Sequence, residues 1–334
     1  MLTLLLIIIV LLLLLLIVFN PKYSHFTPSN NGKPCLWVYL ENGYNTRKWE
    51  SFYSQSNTDH VPDYLKLCLD TIKLNCEDSF DIKLITPDNV TDYLPGFKKS
   101  ENLKYMKDKM MASVLTKYGG LWMPISTLVF KDLIGLHDEV VNTSFFGGFH
   151  CDYDEYRCNL GSNKLLNESV FIAPKNSKVT RELLEKLNNL ENKHISDYEF
   201  LKSGQQLMAE VLNKYADSVK LYPASVSGTR DCVMKSISAD NLLSNNNTSL
   251  LDVKTTQMVT FDRKLIDENT RFNWFSRASK KQILLADIWF SKLAQVGLNK
   301  TEITTFTTKQ DSKDNYIWKK IKNYFIGKSP TRNS

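Results

Sequence analysis

The sequence predicts an α/β domain of the doubly wound type behind an N-terminal apolar segment, and three observations carry that prediction. From Cys35 to Tyr93, short apolar or alternating runs take turns with stretches of helical periodicity, the order in which a sheet and its covering helices are laid down. Lys107–Leu133 (KDKMMASVLTKYGGLWMPISTLVFKDL) then reads as an amphipathic helix, a Tyr-Gly-Gly turn, a strand and a second run ending in Lys-Asp-Leu. Composition agrees, since 43% hydrophobic and 23% charged residues in a chain of 334 are ordinary for a globular protein of one large or two small domains.

Taken in order, Leu2–Phe19 carries no charge. As a helix it would span roughly 27 Å, close to the ~30 Å of a bilayer core. No small-residue cleavage site comes after it, the next residues being Asn20-Pro21-Lys22-Tyr23. Residues 1–20 are therefore expected to form an uncleaved, single-pass membrane anchor through residues 2–19. Residues 21–34, rich in Pro, Ser and Asn, read as a stalk. Orientation stays open: Lys22 and Lys33 after the span favour a cytoplasmic domain, whereas Asn-x-Ser/Thr triplets at Asn89, Asn142, Asn167, Asn246, Asn247 and Asn299 favour a lumenal one.

The body of the chain is expected over residues 35–298. Cys35–Leu40 (CLWVYL) is a buried strand, and Asn45–Ser56 a loop with aromatic residues. Pro62 opens a helix to about Lys73, with Leu65, Cys68, Leu69 and Ile72 on one face. Phe80–Ile85 is a second strand, and Pro87–Tyr93 begins a short helix. In the next helix Met106, Met110 and Val114 set the apolar rhythm, and Lys107, Lys109 and Lys117 the polar one. Gly119 and Gly120 end it, because glycine reaches positive φ at little cost. Further strands are expected at Ser144–Phe149 and Val219–Tyr222, and helices over Ser177–Leu190 and from Ser196 through Leu212. Residues 299–334 form a basic polar tail, in which Ile317, Ile321, Tyr324 and Phe325 share one side of a possible helix.

Charge and cysteines exclude some functions. Of the net charge of +6, residues 311–334 supply +4, so the body is near neutral and offers no basic groove for nucleic acid. Cys35, Cys68 and Cys76 sit where small buried thiols are expected, while Cys151 and Cys158 flank a polar loop and could pair in an oxidising compartment. No Ser/His/Asp or Cys/His set points to covalent hydrolysis, and no glycine-rich phosphate loop is present.

The stretch 107–133 resembles the core of the DXD-containing, capsular-polysaccharide-synthesis and Och1-like group of glycosyltransferases. Asp108 matches that group's helix Asp, Tyr118-Gly119-Gly120 its turn, Leu121-Trp122-Met123 its strand, and Phe130-Lys131-Asp132-Leu133 the segment after that strand. Pro124 and Ser126 stand where the two metal-binding aspartates belong, and Met111 replaces the usual Arg. Weaker similarity extends from Cys35 to Tyr222. The segment Arg271–Arg277 (RFNWFSR) is similar to a closing segment in glycosyltransferase-like proteins of large DNA viruses.

The resemblance implies a GT-A-like, Rossmann-like nucleotide-diphospho-sugar transferase domain. It implies a nucleotide-sugar donor and a glycan or protein acceptor, with Asp108, Tyr118, Gly119, Gly120 and Ser126 about the donor. A divalent cation, Mn or Mg, would neutralise the leaving diphosphate in that group. With the Asp-x-Asp absent, three routes stay open. A metal could be held elsewhere, Asp152 and Asp154 being the candidates; cations such as Lys107, Lys109 or Lys131 could replace it; or the chain could be a catalytically degenerate relative, acting as a membrane-tethered glycan- or protein-binding module.

Overall fold

A computed structural model describes residues 32–40, 61–100, 102–150, 169–191, 197–229, 237–245, 251, 255–263, 266 and 270–298. The expected anchor, the stalk up to residue 31, the loop at Asn45–Ser56, Cys151, Asp152, Asp154, Cys158 and the basic tail lie outside the described residues. Among the described residues, no helix is long and apolar enough to cross a membrane.

The first half keeps the expected order: β1 (Cys35–Tyr39), α1 (Asp63–Cys76), β2 (Asp81–Ile85), α2 (Val90–Tyr93), α3 (Leu103–Tyr118), β3 (Gly120–Pro124) and β4 (Thr127–Val129). Then come α4 (Ile134–Thr143), β5 (Phe146–Phe149), β6 (Phe171–Ala173), α5 (Lys178–Glu191), α6 (Asp197–Lys214) and β7 (Val219–Tyr222). The chain closes with α7 (Ala239–Leu242), β8 (Met258–Thr260), α8 (Asn273–Arg277), α9 (Lys280–Leu285) and α10 (Trp289–Gly297).

Six strands form one sheet in the order β2-β1-β3-β6-β5-β7. β1 pairs parallel with both β2 and β3, as the alternation of strand and helix predicts. The sheet is nevertheless mixed. β6 runs antiparallel to β3 and to β5, while β5 and β7 are parallel. A separate two-stranded ribbon joins β4 to β8, with Thr127 opposite Thr260.

The pleat of the central strands sorts their side chains into two cores. Leu36, Val38, Leu121 and Met123 face α1, the β4–β8 ribbon and the C-terminal helices. Cys35, Trp37, Tyr39 and Trp122 face α3, α5 and α6. The sheet is thus buried on both sides, the setting in which parallel strands are stable. Pro62 precedes α1, with Asp63 in its first turn and Lys73 in its last, where each charge complements the helix dipole. Asn102 caps α3, accepting from the Tyr105 amide at 2.8 Å. On the other face, the Asn75 carboxamide reaches the carbonyls of Thr71 (2.8 Å), Val129 (3.1 Å) and Gly297 (2.7 Å), tying α1, β4 and α10 together.

The corner between α3 and β3 is closed by backbone rather than open to a ligand. Gly119 (φ 72°) and Gly120 (φ 107°) lie where side chains are excluded twice over. A Cβ on Gly119 would sit 2.5 Å from the Lys175 amide nitrogen, and one on Gly120 would sit 2.1 Å from the Cys35 carbonyl oxygen. The Trp37 indole donates to the Gly119 carbonyl at 3.0 Å, and the Tyr118 hydroxyl donates to the Tyr93 carbonyl at 2.6 Å.

Candidate functional site

In an open α/β sheet, ligands bind outside the carboxyl ends of the strands where the strand order reverses. Here the chain goes from β1 to β2 on one side and returns to β3 on the other, so the reversal lies between β1 and β3. The carboxyl edge of that switch is made by Tyr39 and Leu40 of one strand and by Pro124, Ile125 and Ser126 of the other. The Ile125 amide donates to the Tyr39 carbonyl at 2.8 Å, holding the two ends together.

Ser126 turns the chain from β3 into β4. Its hydroxyl donates to the Phe261 carbonyl at 2.8 Å, and the Phe261 amide donates back to the Ser126 carbonyl at 3.2 Å. Because β8 is antiparallel to β4, it delivers its own carboxyl end to this spot. The next two residues are Asp262, which is exposed, and Arg263, which is half-buried. No motif in the sequence singles out either; a three-residue strand carries too little periodicity to announce its partner.

The opposite wall comes from α3. Tyr118 lies against the Trp37 ring, with centroids 5.5 Å apart, and Val114 and Met111 continue inward with no exposure. Helical spacing puts Lys107 and Lys104 further along that same stripe, with Asp108 at its flank. Eleven residues of helix from Tyr118 rise roughly 16 Å, and β3 advances about 13 Å over its length. Lys107 and Asp108 therefore belong to the amino-terminal half of α3, the half the chain enters after leaving the carboxyl end of β2. Both are half-buried.

The sequence-derived site residues separate accordingly. Ser126 lies at the carboxyl edge and Asp108 in the amino-terminal half of α3, whereas Tyr118, Gly119 and Gly120 lie at the amino end of β3 and set the register of helix and strand. Of the lysines considered as cations, Lys107 is half-buried beside Asp108. Lys109 is 7% exposed, with its ammonium 5.5 Å and 5.6 Å from the ring centroids of Phe97 and Tyr105. Lys131 is at the far end, since the neighbouring Asp132 carboxylate accepts from Ser79 just before β2 begins.

Residues 124–126 themselves offer a divalent cation little. Mg or Mn needs several hard oxygen ligands, at least one or two of them carboxylates. Pro124 and Ile125 supply no side-chain oxygen, and Ser126, 4% exposed, commits its hydroxyl to the Phe261 carbonyl. Among the described residues no group of three or more His, Cys, Asp or Glu is arranged to hold a metal. Two buried polar groups near the edge lack hydrogen-bond partners, the Trp122 indole N–H and the Thr260 hydroxyl. Each such group costs about 1–3 kcal/mol. Tyr39 stacks on Trp122, with ring centroids 5.3 Å apart.

Groups with displaced protonation equilibria lie elsewhere. Burial raises the Cys35 thiol to about 11 and the Cys76 thiol to about 12, and raises the Cys68 thiol well above its ordinary value. Burial also raises Tyr222, helped by its hydrogen bond to Glu139, and hydrogen bonds from Lys220 and Tyr222 lower Glu139. A shallow cleft of about 330 Å³ lies between Leu94–Phe97, Ser113 and Thr116 of α3, and Leu184. It opens on the outer side of α3, away from the switch.

No family model matches the chain, and no curated protein matches it. Solved structures similar to it include the bifunctional glycosyltransferase WbbM, at 9% identity over 88% of this chain and 52% of that one, with a TM-score of 0.45. The galactosyltransferase LgtC in complex with donor and acceptor sugar analogs is similar at 10% identity over 72% of this chain and 95% of that one, with a TM-score of 0.35. The glycosyltransferase GlyE of Streptococcus pneumoniae TIGR4 is similar at 12% identity over 57% and 45%, with a TM-score of 0.33. The chain spans about half the length of WbbM and GlyE. Likeness at this level fixes no function, and the chemistry rests on this chain's own residues.

Proposed function

We propose that this chain is a membrane-tethered GT-A-type transferase of the DXD and Och1-like kind, taking a nucleotide-sugar donor at the β1/β3 switch and passing the sugar to a glycan or protein hydroxyl. One observation carries the reading. Pro124 and Ser126, which occupy the Asp-x-Asp positions of the resemblance, fall at the carboxyl end of a central strand beside the strand-order reversal. The resemblance at positions 124 and 126 and their place beside the reversal both support this reading.

In this reading Asp108 accepts hydrogen bonds from donor-sugar hydroxyls, Ser126 walls the site, and Tyr118, Gly119 and Gly120 hold α3 and β3 at the spacing the donor requires. As the acceptor oxygen bonds to the anomeric carbon, the bond to the diphosphate oxygen breaks. The acceptor loses its proton and the nucleoside diphosphate leaves with the bonding pair. Catalysis then depends on positive charge near the leaving oxygens. The lack of carboxylates at 124 and 126 favours a second reading, a degenerate relative that binds glycans or partners without turnover.

The full chain in detergent, given UDP- and GDP-sugars with and without Mn²⁺, separates these readings. Donor turnover abolished by Asp108→Ala supports the transferase. Glycan binding with no nucleotide affinity supports the degenerate relative and excludes the donor site. Tethering through residues 2–19 is tested by alkaline carbonate extraction: the chain stays with the membrane, and deletion of 2–19 releases it.

A further inference from the structure

Resting on the donor-site reading, we infer that Ser126, Phe261 and Phe275 are positioning residues, through which the closing segment Arg271–Arg277 holds the β3–β4 turn in the shape that a donor meets. Ser126 stands where the resemblance expects a metal-binding aspartate. The structure gives its hydroxyl a different partner, the Phe261 carbonyl at 2.8 Å, and the Phe261 amide returns a bond to the Ser126 carbonyl at 3.2 Å. With Ser126 only 4% exposed, water competes little for either bond. The two bonds latch the turn to the end of β8.

Phe261 is the first residue beyond the β4–β8 ladder, which ends with Thr127 opposite Thr260. Its backbone is held by Ser126 and its ring by two others. The ring centroid lies 5.7 Å from that of Phe290 on α10, nearly perpendicular at 82°, and 6.2 Å from that of Tyr64 on α1. Phe275 of α8 completes the cluster, 4.9 Å from Phe290 and 5.1 Å from Tyr64. Tyr64, Phe275 and Phe290 have no exposure. Ring pairs at these spacings attract beyond the area they bury, and each fixes the direction of its neighbour.

The segment that carries Phe275 is braced from behind. Lys280, just past α8, donates its amide to the Asp63 carboxylate at 3.0 Å, and its ammonium pairs with Asp70 at 2.5 Å, both on α1. A close-packed core transmits a displacement rather than absorbing it. Loss of the Phe275 ring therefore lets Phe290 and Phe261 shift, and the carbonyl that orients Ser126 shifts with them. Restoring the aspartate of the motif at position 126 has the same result. Its carboxylate would face the Phe261 carbonyl, acceptor against acceptor, and the latch would open.

The test titrates the full chain in detergent with UDP and GDP in the presence of Mn²⁺. Ser126→Ala is expected to weaken binding about fivefold, the effect of one lost hydrogen bond, and Phe275→Leu to do likewise. The double variant should stay near that loss, because both changes open one latch, whereas independent sites would lose about twenty-fivefold. Ser126→Asp weakens binding as Ser126→Ala does. Leu285→Ser, in the same closing region but 55% exposed, changes nothing. Should Phe275→Leu not fold, Phe261→Leu takes its place in the cycle. Without nucleotide, hydrogen exchange in each latch variant should speed up at 124–127 and 258–261 and stay unchanged at 35–39. Multiplicative losses, tighter binding by Ser126→Asp, or variants that melt earlier yet bind like the unaltered chain overturn the inference and leave the donor site standing. No nucleotide binding by the unaltered chain overturns the donor-site reading, and unchanged exchange at 124–127 in Phe275→Leu overturns the latch separately.

Discussion

Gly120 joins sequence to site through a single contact. With φ at 107° and a would-be Cβ 2.1 Å from the Cys35 carbonyl oxygen, Gly120→Ala should cost roughly 3 kcal/mol or more, from backbone strain and overpacking together. Urea denaturation measures this, and a cost below about 1 kcal/mol would contradict the close approach. Asn75→Ala should cost about 2–3 kcal/mol, because it strips three carbonyls on three elements of one shared donor. At this scale the sequence is legible in kind but not in partner. The glycine pair reads correctly as a helix stop, yet the group that crowds it is Cys35, eighty-five positions earlier. Asn89 is similar: within an Asn-x-Thr triplet, its side chain accepts from the Thr86 amide at 2.7 Å and donates to the Leu84 carbonyl at 2.9 Å, serving the turn into α2.

At the scale of elements, α1 and β1 bury their three thiols against the sheet. Desolvation raises Cys35 and Cys76 from an ordinary 9.0 to about 11 and about 12. The unfolded chain therefore releases these protons first as pH rises. The stability they contribute is complete below about pH 9 and declines as pH climbs toward 11. Denaturation midpoints measured from pH 8 to 11 should fall across that window, and the three thiols should resist alkylation at pH 8 until the chain unfolds. A flat profile, or rapid labelling of the native protein, would contradict the burial. Helices with clear periodicity, such as α1, α3, α5 and α6, are visible in the sequence to within a few residues. The β4–β8 ribbon is not, because two three-residue strands 131 positions apart leave no local pattern. Without the ribbon nothing in the sequence points to Asp262 and Arg263.

Over the whole molecule, the order of strands and helices through β3 is legible because each parallel strand must be followed by a crossover. The reversed strand β6 is not, since a three-residue run such as Phe171–Ala173 fits either direction and only its neighbours β3 and β5 decide. The carboxyl edge of the sheet, positions 124 and 126 of the motif and the paired ends of β4 and β8 lie together, and the cleft behind α3 is lined by other residues.

Hydrogen exchange of the full chain with and without a nucleoside diphosphate reads that separation directly. Saturating UDP or GDP is expected to slow exchange at 104–108, 124–127 and 260–263 while leaving 94–97 and 184 unchanged. Protection at the cleft behind α3, or no protection anywhere, would contradict a donor site at the β1/β3 switch.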